Sequence, residues 1–444
     1  MARRTHADYL NMIHSEAQSH YRTQKMIVRS QLSQHPTLNA FKTFISVNIL
    51  GWIYHYLKSR VGSKHPFMDY SRSAGNGVFT MRSASSPGND HIKMVLAADW
   101  ATDTAESDHI AALMKKEESD YSIHLGDTYF VGDPDEIKCN FLVENAPWPR
   151  GSSGTLAIPG NHEFYSNGGP YFDQLLPHMF VRTENNGTLT QDASFFCLQN
   201  DYWRVIGLDN GYYSVGKLII EFIIRPDAHL DPKLIDWLKK EVATDPNDNR
   251  GLIILSHIQY CSAFEPQFPK AAEALREIFG PKKEVIWLWG HEHRFSVYGR
   301  YQSEKGIAAY GRCIGHGGMP VEIGKVRQGE EMVKGPDPKK MKGCELVFFD
   351  NRKKGIIGDT ILGHNGYTLL TLNANKLILE YKDELTWLFR EEWELDRSTG
   401  KLCARVWNNP AIPLTLVANS YSAAVPPPCP SPPQPSAPPQ ILPP

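Results

Sequence analysis

The sequence predicts an α/β core with parallel strand pairing. Three observations carry this. Between Lys93 and Trp289, six short apolar runs each end in a polar residue and a turn, as buried strands do. Helical patterns lie between several of them, which implies crossover connections. Beyond residue 344 the texture shifts to closely spaced strands without a helical period.

Taken in chain order, residues 5–35 are polar, lack Pro and Gly, and suit a helix that Pro36 ends. Thr43 to Ser59 suits a second. Its apolar stretch, FISVNILGWIYHYL, is shorter than the ~20 residues of a membrane span and contains Asn48 and His55. It reads as a helix docking on the core. Membrane contact of residues 43–58, or a partner surface there, is the weaker alternative. Residues 71–90 are rich in Gly, Ser, Pro and Asn and read as loop with one short strand. The expected division is a helical extension over 1–75 and a main domain over 77–405.

The six runs are Lys93–Ala98, Tyr121–Leu125, Thr155–Ile158, Trp203–Leu208, Leu252–Leu255 and Glu284–Trp289. Helices are predicted over 104–118, from Asp231-Pro232 to Val242, and over 270–279. Asp231 is an N-cap with Pro at the first helical position, and Leu234, Leu238 and Val242 follow at a spacing of four. The segments CELVFFD, YTLLTL and KLILEY, followed by EEWELD, predict an antiparallel meander. Residues 422–444 form a tail that cannot build a core, since 11 of the last 19 residues are Pro. Such a tail is inert or docks on an SH3-like domain through spacings such as Pro432 to Pro435.

Composition narrows the function classes. Lys+Arg 47 against Asp+Glu 49 leaves a net charge of −2, so no global basic field exists to hold nucleic acid. Seven Cys are too few for a disulfide scaffold, and a reducing compartment is the default. No signal peptide is read at the N-terminus, so a cytoplasmic location is expected. No G-x-S-x-G, P-loop or dinucleotide fingerprint is present.

Each predicted strand ends in a residue able to hold a metal: Asp99, then Gly126-Asp127, Gly160-Asn161-His162-Glu163, Asp209, Ser256-His257, and Gly290-His291-Glu292-His293. Ligands of open α/β sheets bind beyond the carboxyl ends of strands, so side chains 200 residues apart can share one rim. Carboxylate, amide and imidazole donors suit Fe, Mn or Zn. Two such ions need a bridging carboxylate and several further protein ligands.

This ordered set resembles the calcineurin-like metallophosphoesterase superfamily, and within it the purple acid phosphatase-like branch, over roughly residues 77–405. The resemblance implies a two-sheet β-sandwich with flanking helices and a dinuclear metal site at strand C-terminal ends. It implies that Asp99, Asp127 and His293 hold one metal. Asp127 would bridge to a second, held by Asn161, His257 and His291. His162 would act beside the substrate phosphate as a proton or hydrogen-bond donor, and the reaction would be hydrolysis of a phosphomonoester by a water that two cations activate. A phosphodiesterase on the same site, or a non-catalytic scaffold, are the alternatives.

Two departures stand out. Asp99-Trp100-Ala101 lacks the His of the common D-x-H motif. The Tyr that replaces it in the purple branch, three residues after the bridging Asp, is here Phe130, with Tyr129 one residue early. Tyr129 as a ligand requires a local kink, because successive extended residues face opposite ways. His316, in the Gly-rich loop IGHGGMP, is a candidate phosphate contact or simply part of a turn. Asp209 is expected to fix a loop.

Overall fold

The six apolar runs form the strands His91–Ala97, Tyr121–His124, Gly154–Ala157, Trp203–Gly207, Gly251–Ser256 and Glu284–Trp289. They are seen in a computed structural model that describes residues 63–83, 91–185, 187–215 and 227–429. The expected N-terminal helices, the 43–58 run and most of the Pro-rich tail lie outside these residues. The first three strands pair in parallel in one sheet, and the last three pair in parallel in another. Among the described residues each sheet has nine strands.

Alternation along the strands builds three layers of core. Ile92, Met94 and Leu96 face Ile253, Leu255, Ile286 and Leu288 of the opposite sheet. Their neighbours Val95 and Ala97 turn outward onto Ile110 and Met114 of the helix Ala105–Lys115. Thr104 caps that helix, accepting from the Ser107 N–H, while the Ser107 hydroxyl accepts from the Thr104 N–H. On the far side, Leu252, Ile254, Val285 and Trp287 meet Leu234, Leu238, Ala271 and Leu275. These come from the helices Pro232–Trp237, which continues as a wider turn over Leu238–Val242, and Lys270–Phe279. Each such Leu or Ile contributes about 1.5–3 kcal/mol by leaving water. The two-sheet sandwich with flanking helices is therefore the observed fold.

The antiparallel meander holds for Gly366–Asn373, Lys376–Asp383 and Trp387–Asp396, to which Lys401–Asn408 adds a further strand, and together they extend the first sheet from His91–Ala97. The strand Leu346–Phe349, expected in that meander, instead pairs with Phe295–Tyr301 in the other sheet. Its residues are buried throughout, so its apolar pattern held no preference between the two sheets. A four-stranded sheet of Glu322–Arg327, Glu330–Val333, Gly355–Ile357 and Thr360–Leu362 was not expected at all. Two of its strands, Glu322–Arg327 and Glu330–Val333, are rich in charge, and its core is Val321, Ile323 and Ile361 with partly buried neighbours.

Core packing reaches beyond 77 and 405. Phe67 and Tyr70 are buried before it, and Leu414, Ala424 and Val425 after it. The fully buried Arg312 holds the end of the chain: it donates to the Ala424 carbonyl at 2.7 Å and to Glu391 Oε1 at 2.6 Å. Cys403 and Cys429 are joined in a disulfide. Cys139, Cys197, Cys261, Cys313 and Cys344 are free. Among the described residues no helix is long and apolar enough to cross a membrane.

Candidate metal centre

The parallel strands deliver their carboxyl ends to one rim where the two sheets meet. A Cβ at Gly290 would lie 2.5 Å from the Ala98 Cβ and 2.6 Å from Asp99 Oδ2, and one at Gly160 would lie 2.1 Å from Asp127 Oδ1. Glycine at these two positions is what lets the neighbouring donors close up. Asp99, Asp127 and His291 take left-handed backbone conformations, with φ of 55°, 68° and 67°. Each side chain is thereby re-aimed as the chain leaves its strand.

Asp127 sits at the centre. Its Oδ1 accepts from the His162 N–H at 2.9 Å, and its Oδ2 lies 3.1 Å from His257 Nε2 and 3.0 Å from the Tyr129 hydroxyl. Ligand atoms of Asp127, His257 and His291 all fall within 4.8 Å of one another. Asn161 directs its Nδ2 to the Tyr165 hydroxyl at 3.1 Å, and its Oδ1 is buried without a partner. On the other side, Asp99 Oδ2 accepts from the His291 N–H at 2.8 Å, and Asp99 Oδ1 lies 3.6 Å from His293 Nε2.

Tyr129 belongs to this cluster. It lies past the end of its strand, after the turn at Asp127. Its hydroxyl is 2.7 Å from Asp99 Oδ1, 3.0 Å from Asp127 Oδ2 and 2.8 Å from His293 Nε2. The turn supplies the kink that the strand pattern lacked.

These contacts test whether the residues suit cations. Tyr129 has one proton for three acceptor atoms. His257 directs Nδ1 to the Leu125 carbonyl at 2.8 Å, which leaves the Nε2 lone pair facing Asp127, without a hydrogen-bond partner. Such a surplus of buried acceptors is costly unless positive charge is shared among them. The donor set fits metal ions.

The same gathered negative charge can equally hold a proton on His257. Burial opposes charge on His257, yet the Asp127 and Asp99 carboxylates outweigh it and push the imidazole up to about 10. Burial, reinforced by Asp127, pushes Asp99 up to about 8 although His257 opposes it. Burial raises Asp127 too, but His257 and His162 hold it well below the usual carboxylate range. Burial holds His291 at about 3 and His293 at about 4.

His162 stands at the edge. Its Nδ1 meets the Phe130 carbonyl at 2.5 Å, which leaves Nε2 on the open side, 3.8 Å from Asp127 Oδ2. His316 does not join the rim. It is 1% exposed, stacked on Phe295 with ring centroids 5.4 Å apart, and neither ring nitrogen has a partner. A phosphate cannot reach it, which corrects the candidate contact; the packing of Phe295 and Gly366 around its ring decides this. Asp209 is buried, accepting from the Ser194 hydroxyl at 2.6 Å and the Tyr212 N–H at 2.8 Å, as expected of a loop anchor.

Three positioning groups escaped sequence reasoning. Glu163 Oε2 accepts the N–H of Gly160 at 2.7 Å and of Asp127 at 3.2 Å, tying two rim loops together. Its place in GNHE was the available signal. Asn210 Oδ1 accepts the N–H of His257 at 3.2 Å and of Ile258 at 3.0 Å. The Phe130 carbonyl has no sequence signature.

A family profile described as calcineurin-like phosphoesterase matches residues 93–295. Among solved structures, similarity is found to a purple acid phosphatase from yellow lupin (Lupinus luteus) seeds, at 16% identity and TM-score 0.42, covering 66% of this chain. The chain spans 52% of that enzyme's length. GAP50, the anchor in the inner membrane complex of Plasmodium, is similar at 12% identity and TM-score 0.40, covering 66% of this chain and 85% of that one. PhoD is similar at 10% identity and TM-score 0.42, covering 72% of each chain. No curated protein sequence matches. All the rim residues from Asp99 to His293 fall inside the segment that matches the calcineurin-like phosphoesterase profile.

Proposed function

We propose that the chain is a metal-dependent phosphomonoesterase. The observation that carries the reading is the crowding of Asp127, His257 and His291 ligand atoms at one strand-end rim, with Asn161 Oδ1 beside them buried without a hydrogen-bond partner. The match of residues 93–295 to the calcineurin-like phosphoesterase profile supports it. Asp99, Asp127, His293 and Tyr129 are assigned to one ion, and Asp127, Asn161, His257 and His291 to a second. Fe, Mn and Zn suit these donors. Tyr129 in this set also supports placing the chain beside the purple acid phosphatases.

Two bound cations supply Lewis acidity to a phosphoryl oxygen and to an attacking water. The chain's own groups do the rest. Asp127 is fixed by the His162 N–H, and Glu163 fixes the loops on either side of it. His257 is held in one tautomer by the Leu125 carbonyl. His162, held by the Phe130 carbonyl, presents Nε2 to the open rim, where it hands a proton to the leaving alkoxide.

The test is direct. Purified chain loaded with Mn²⁺, Fe or Zn²⁺ is assayed on a phosphomonoester and on a bis-ester, beside Asp127→Asn and His162→Ala. Monoester turnover that both variants abolish supports the reading. Turnover confined to the bis-ester makes the chain a phosphodiesterase. No turnover with any metal favours a scaffold.

A further inference from the structure

A cavity of about 550 Å³ opens from His291 and His293 and runs along the hairpin formed by Glu322–Arg327 and Glu330–Val333. Its cationic lining residues are Arg294, Lys325, Arg327 and Lys334. Acidic groups answer some of them. Glu265 lies 3.6 Å from Lys334, and Lys325 rests on the Thr360 hydroxyl at 2.7 Å with Asp359 at 3.7 Å. Glu292 accepts from the Ser262 hydroxyl at 2.8 Å. Glu322 is exposed.

Arg294 and Arg327 line the cavity without any ion pair among the described residues. Arg294 is the more informative. It is only 9% exposed, its guanidinium stacks 3.7 Å from the Phe264 ring centroid, and its Nε is buried with no acceptor. A buried donor without an acceptor costs about 1–3 kcal/mol. Its planar fork matches phosphate oxygens two at a time. It directly follows His293, so an anion bound there sits beside the rim. Arg327, on the exposed hairpin, lines the same cavity.

We propose that Arg294 and Arg327 form a second anion subsite, so that the preferred substrate is an organic phosphoester whose leaving group carries a second phosphate. This rests on the phosphoesterase reading for the place of the first phosphate. It adds a determinant that Asp127 and its neighbours do not supply.

The test uses non-hydrolysable probes on the full chain, with and without Mn²⁺. Calorimetry compares pentane-1,5-bisphosphonate with pentylphosphonate. Two charge-assisted contacts should tighten binding of the bisphosphonate about 10-fold or more. Arg327→Ala, an exposed change that leaves the core intact, should cut that ratio to about 3 or less, and Arg294→Gln should do the same. Arg327→Lys should restore part of it. Equal affinities for the two probes, or a ratio that neither variant changes, overturn the subsite. Hydrolysis of pentyl phosphate is measured in parallel. Discrimination without hydrolysis leaves the subsite standing and removes the phosphoesterase reading. Hydrolysis without discrimination does the reverse.

Discussion

The Tyr129 hydroxyl lies 2.7 Å from Asp99 Oδ1, joining the ends of two neighbouring parallel strands. Its other contacts, to Asp127 and His293, are the remaining groups assigned to the first ion. Tyr129→Phe keeps the ring and removes the oxygen. The first ion should then bind about 10–100-fold more weakly, while the second is little changed. Metal titration of the variant, followed by elemental analysis, checks this; two ions held as tightly as in the parent would remove Tyr129 from the ligand set.

His162→Ala should lower kcat on a phosphomonoester by about 10²–10⁴-fold. The side chain contacts Asp127 only at 3.8 Å, so metal content should stay at the parental value. Steady-state kinetics paired with elemental analysis separates a lost proton donor from a lost metal.

The Arg312–Glu391 pair is fully buried, and Glu391 also accepts from Trp393 Nε1 at 2.8 Å. Removing one partner strands the other charge. Arg312→Met or Glu391→Gln should each destabilise the fold by about 3–5 kcal/mol. The double variant should cost less than the two single changes combined. Urea denaturation of all three measures the coupling. Arg312→Met should also free the 421–429 segment to proteolysis, because the Ala424 carbonyl loses its donor.

Burial alone would raise the Glu384 carboxyl. His364 and Lys354, together with the Asn365 N–H, outweigh it and hold the group at about 2. A folded-state value below the ordinary one stabilises the fold above the unfolded pKa and is lost on acidification. The contribution is about 2–3 kcal/mol at neutral pH and fades between about pH 5 and 2. Glu384→Gln should flatten the stability profile in that acid window. An unchanged slope in acid unfolding curves would count against the ion-pair network.

Much of the fold was legible because strand burial and helix amphipathicity are local patterns. The run from Lys93 to Ala98 carries its own period, and Asp231-Pro232 carries its own cap. The charged strands of the Glu322–Arg327 hairpin carry neither, so that sheet stayed hidden. Leu346–Phe349 was legible as a strand but not as a member of one sheet rather than the other.

The sequence by itself determined which residue types end each strand, and hence that Asp99, Asp127, Asn161, His257, His291 and His293 share a kind of chemistry. Only the tertiary structure decided that Tyr129 turns into that group, that His316 is sealed against Phe295, and that Arg294 lines a cavity beside the rim. Residue type and spacing are local properties of the chain. Side-chain direction after a strand depends on backbone angles such as the φ of 68° at Asp127 and on which distant surface closes over each residue.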